Sequence, residues 1–183
     1  MRYGGALPAM PFAAHVPPLA RKYRTLLALR AAHERDGSVA DPRQLRALAA
    51  EFPGALRELD ALPAAEMHAR ADALDAVARG AAVEPWMNAM AGYHALMRAT
   101  LAIKRAGANT AAVHRAVDEF HRATGVALDD GDLASIARPP RGRLGVFVFA
   151  RLGATLGRAP DELWQSIFPT GRADRFAPLE SRP

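Results

Sequence analysis

The chain contains no cysteine. Disulfides, thiolate catalysis, iron–sulfur clusters and cysteine-ligated zinc are therefore excluded. Lysine is scarce as well. It occurs only at Lys22 and Lys104, so twenty-two of the twenty-four basic residues are arginine. No uninterrupted apolar stretch approaches the ~20 residues of a membrane-spanning helix, and no membrane partner is expected. The first eighteen residues are broken by Pro8, Pro11, Pro17 and Pro18, which is a poor core for a signal peptide. A cytoplasmic location is the resulting expectation. Gly-x-Ser-x-Gly, Gly-x-x-x-x-Gly-Lys and Gly-x-Gly-x-x-Gly are all missing, so no familiar nucleophile or phosphate-cradling loop is readable. No cofactor is expected, and the reading leans away from an enzyme.

What is present is the makeup of a globular domain. Apolar residues are 50% of the 183 and charged residues 23%, enough to build one core without a metal or disulfide staple. Much of the apolar content is alanine, which favours helix and close helix–helix approach. The net charge is +5 and the isoelectric point about 10.4. That balance points toward anionic partners, although arginine and alanine also rise together with genomic GC content.

Prolines and glycines divide the chain, and nearly every segment between them has helical period. The spacing predicts an irregular N-terminal arm over 1–17, an all-α domain over 18–168 and a loosely ordered tail over 169–183. Helices are expected over 18–35, 42–52, 55–62, 64–79, 85–106, 110–124, a short piece to 137, 144–156 and 160–168. Asp41-Pro42 is an N-cap followed by proline at the first helical position. Asn109 caps the helix from Thr110, and Gly125 closes it. The segment 85–106 is the longest. Its stripe of Trp86, Met90, Tyr93, Met97 and Leu101 makes it the expected central helix of a single compact domain of about eight helices. The run 144–156 begins with Gly-Val-Phe-Val-Phe, a strand composition, but a lone strand lacks a partner and the run is read as a buried helix.

The sharpest constellation is Arg138-Pro139-Pro140-Arg141-Gly142-Arg143, set against that apolar run. Three guanidinium groups on a stiff turn suit a carboxylate or phosphate, helped by free N–H groups of the helix that follows. Pro140-Arg141-Gly142-Arg143 resembles most of the AT-hook core, Pro-Arg-Gly-Arg-Pro, in which two arginines lie in a narrow minor groove. Leu144 stands where the final proline would be. A second constellation is His114, Asp118 and His121, at i, i+4 and i+7 of one helix, with His68, Asp72 and Asp75 repeating the spacing on another. Imidazoles and carboxylates on facing helices are how metal sites in bundles are built, so these residues are candidate metal ligands. His94, among Met90, Met97 and Leu101, reads as a core histidine.

The function expected from these features is a binding or regulatory module whose Arg138, Arg141 and Arg143 engage an anionic ligand or acidic protein. Nucleic acid and a helical metal site are the alternatives, and self-association into a homo-oligomer stays open.

Overall fold

Proline opens and glycine closes most helices of this chain, and that punctuation is borne out in the backbone. The computed structural model describes residues 12–38, 40–137 and 144–168. Among them run a 3₁₀ turn (Ala13–His15) and nine α-helices: α1 (Val16–Asp36), α2 (Pro42–Glu51), α3 (Ala55–Ala61), α4 (Ala64–Ala78), α5 (Pro85–Ala106), α6 (Thr110–Thr124), α7 (Asp130–Ala137), α8 (Leu144–Leu156) and α9 (Pro160–Ile167). No strand occurs among the described residues.

The expected caps form. The Asp41 carboxylate accepts from the Arg43 N–H at 2.8 Å, and the Asn109 side chain from the Ala112 N–H at 3.1 Å. Each satisfies a helix-end donor that has no intrahelical partner. One boundary differs from expectation. α1 begins at Val16 rather than residue 18, with Pro17 and Pro18 inside its first turn. Proline is tolerated there because the N–H it lacks would go unused. Phe12 and Val16, read as part of an irregular arm, are core residues at 1% and 0% exposure. Residues 1–11 and 169–183 lie outside the described chain.

α5 is the centre of the fold. It packs against α1, α2, α6, α7, α8 and α9. The apolar stripe read from its sequence is too narrow a description. Every residue from Met87 to Leu96 is buried, while Trp86, Met97 and Leu101 are only partly covered. Small residues explain the difference. Ala89, Ala91, Gly92 and Ala95 add little to a hydrophobic pattern, yet they let neighbouring helices approach from several sides. At Gly92 a β-carbon would sit 2.6 Å from both Leu152 and Phe12, so α8 and the segment before α1 close over that position.

α8 is helical, as expected, with Val148, Phe149 and Leu152 fully buried. Phe149 joins Tyr93, Trp164 and Phe168 in an aromatic cluster, with ring centroids 4.8–5.6 Å apart. Burying each large side chain of this kind contributes about 1.5–3 kcal/mol. α4 lies along α1, and α6 lies along α5.

Candidate functional site

The three elbow arginines, Arg138, Arg141 and Arg143, lie outside the described residues. α7 ends at Ala137 and α8 begins at Leu144, so they occupy the connection between those two helices.

His114, Asp118 and His121 all stand on the exposed side of α6. Seven residues of α-helix separate His114 from His121 by about 10 Å along the axis, whereas ligands of one zinc-like ion sit ~2 Å from it. Among the described residues no group of three His, Asp or Glu side chains is placed to hold a metal. In the other trio, His68 and Asp72 are exposed, and Asp75 is engaged by Arg24 of α1. α4 and α6 also run along different partners, α1 and α5.

A different cluster occupies the core. Lys22 of α1 is completely buried, and so are its neighbour Tyr23, Glu58 of α3, and His94 and Met90 of α5. The ammonium of Lys22 donates to Glu58 Oε1 at 2.6 Å, to Met90 Sδ at 3.4 Å and to His94 Nε2 at 3.3 Å. An ammonium has three N–H donors and each finds an acceptor. The Tyr23 hydroxyl donates to Glu58 Oε2 at 2.7 Å. It accepts from Arg70 Nη1 of α4 at 3.0 Å. Arg70 Nη1 also donates to the Ile167 carbonyl of α9 at 2.9 Å. Five helices are thereby tied through one ion pair and its hydrogen bonds.

Electrostatics follows from the burial. Desolvation draws the Lys22 pKa down from its ordinary value, and the adjacent Glu58 carboxylate acts against that. Desolvation first, and the Glu58 charge second, push the Tyr23 phenol well up. Burial and the charges of Lys22 and Arg98 hold His94 well below the usual imidazole value, so the ring is neutral. With Lys22 donating to Nε2, the ring proton belongs on Nδ1, on the side of the Pro53 backbone carbonyl. Removing these charges from water costs desolvation, which the ion pair and its hydrogen bonds offset.

These groups could in principle move protons, but Lys22, Tyr23, Glu58 and His94 are each at most 2% exposed. As folded, the cluster is closed to a substrate.

Sequence reasoning placed His94 in the core correctly. It gave Lys22 no role and did not connect it with Tyr23, Glu58 and Arg70. One signal was available: lysine at position 22 in a chain that otherwise uses arginine. A compact ammonium on a flexible stem fits three acceptors around one point, where a planar guanidinium does not.

Compared with known proteins, the chain matches no family model, no curated protein and no solved structure.

Proposed function

We propose that this protein is a helical binding module that engages an anionic or acidic partner through Arg138, Arg141 and Arg143. The observation that carries the reading is the distribution of charge. Of the chain's net +5, residues 138–143 alone contribute three arginines with no carboxylate among them. α8, thirteen residues long, starts directly after Arg143. The positive end of its dipole adds to the attraction for an anion. Closure of the Lys22–Glu58–His94 cluster favours binding over catalysis.

The test is fluorescence anisotropy with two labelled probes, an acidic peptide and a random-sequence duplex. Wild type is compared with Arg138→Glu/Arg141→Glu/Arg143→Glu. Three phosphate contacts give a salt slope of about −2.7, hence about 40-fold weaker duplex binding at about 200 mM salt than at about 50 mM. Binding of either probe that is salt-sensitive and abolished in the triple variant is the expected result. If only the duplex binds, the Pro-Arg-Gly-Arg piece is acting on a minor groove. If neither binds, or the variant equals wild type, the reading fails.

A further inference from the structure

A cavity of about 350 Å³ opens between α4, the start of α5 and α9, lined by Glu66, Ala69, Arg70, Ala73, Glu84, Trp86 and Ser166. Its size lies at the lower end of small-ligand pockets. Arg70 is 5% exposed and lines it. Its Nε donates to Glu66 Oε1 at 2.8 Å, and its Nη1 to Tyr23 and the Ile167 carbonyl. Nη2 has no hydrogen bond to any described residue. Nη2 is not one of the sealed, unpartnered polar atoms among the described residues, and it can take an acceptor that enters the cavity.

The two carboxylates present the opposite charge. Glu66 gives one oxygen to Arg70 and its side chain is 41% exposed. Glu84 uses Oε2 to accept from the Trp86 indole at 2.9 Å. Each keeps one oxygen without a hydrogen bond among the described residues. Two carboxylates against one guanidinium leave this cavity one negative charge in excess, within a basic protein. Trp86 supplies an aromatic wall, and its ring already holds the Arg70 guanidinium at 5.3 Å. Ala69 and Ala73 supply a small apolar floor.

A simple anion meets two glutamates here, and a simple cation meets the Arg70 guanidinium. Two carboxylates without a third ligand also make a poor metal site, consistent with the absence of any three-ligand group among the described residues. A ligand with one anionic and one cationic end suits both. We propose that this cavity binds a free α-amino acid: its carboxylate on Arg70 Nη2, its ammonium on the unused oxygens of Glu66 and Glu84, and its side chain against Trp86, Ala69 and Ala73. The elbow arginines take no part, so this site stands or falls independently of them.

The experiment follows the Trp86 indole N–H signal by NMR while the common α-amino acids are added singly at about 10 mM, well above a millimolar dissociation constant. The signal is assigned with Trp86→Phe. The strongest binder is then compared with its amide and its N-acetyl derivative, and with wild type replaced by Glu84→Gln. Glu84 is exposed, so that variant keeps the fold, checked by its melting temperature. The expected result is a saturable shift with at least one amino acid. Each derivative and Glu84→Gln should weaken it about tenfold or more, the loss of one charged hydrogen bond. No shift with any amino acid overturns the proposal. So does an amide or N-acetyl derivative that binds within twofold of the parent, or Glu84→Gln binding like wild type.

Discussion

Two consecutive residues of α1 each meet a glutamate from another helix, and they live in different worlds. Arg21 pairs with Glu51 at the end of α2, with side chains 66% and 41% exposed. Lys22 pairs with Glu58 of α3, with side chains 0% and 1% exposed. In the first pair water competes for both ions, and the net gain is small. In the second pair both ions have left water, and their desolvation is offset only because every donor and nearly every acceptor is met. The lesson is that an ion pair's worth depends on what surrounds it. The buried pair adds little net stability while it is whole, yet is very costly to break by half.

The sharpest way to break this comparison is to remove one buried partner. Glu58→Ala leaves the Lys22 ammonium in the core without its counter-ion, and a loss of about 3–5 kcal/mol is expected. Chemical denaturation followed by circular dichroism measures it. The double variant Lys22→Met/Glu58→Leu should recover more than half of that loss, because no charge is stranded. A double variant as unstable as Glu58→Ala would mean that the pair itself, not the avoidance of a lone charge, holds the helices together.

Acid should act next most strongly, through His94. Its folded pKa is depressed well below the ordinary 6.5. The unfolded chain therefore takes up the proton first as pH falls. Stability is fully present above about pH 6.5 and declines as pH drops toward the folded value, with a slope of up to about 1.4 kcal/mol per pH unit for this one group. His15, half-buried beside Arg98, is lowered by burial and then by that charge, and adds in the same direction. Stability of His94→Gln against pH should be visibly flatter between about pH 6.5 and 5. An unchanged slope would remove His94 as the titrating group.

The smallest effect belongs to the surface. Arg21→Ala should cost less than about 1 kcal/mol, and the cost should shrink further as salt is raised. A loss rivalling that of Glu58→Ala would erase the distinction between the two pairs.

Much of the architecture could be read without coordinates. Asp41-Pro42, Asn109 and Gly125 mark helix ends through chemistry that acts within four residues, and those ends fall where expected. The central place of α5 was legible in its length and apolar content. Its envelopment was not, since alanine and glycine weigh little in a hydrophobic pattern but decide how closely helices approach. The start of α1 was misplaced because Pro17 and Pro18 read as breakers, although the first turn of a helix accepts proline.

The candidate sites divide in the same way. The elbow arginines are a sequence feature, contiguous and rich in charge. The spacing of His114, Asp118 and His121 was equally plain, but positions spread along one helix do not converge on a single ion, and no second helix brings ligands to them among the described residues. Lys22 lies 36 positions from Glu58 and 72 from His94. Arg70 meets Ile167 across 97.

What this sequence determined by itself is a set of amphipathic helices with defined ends, for capping, proline geometry and glycine's left-handed turns are local matters. Which polar side chains would be sealed together, and which left facing a cavity, was decided only when α1, α3, α4, α5 and α9 packed. Burial multiplies the energy of a charge many-fold, and burial is a property of the assembled core rather than of any stretch of chain.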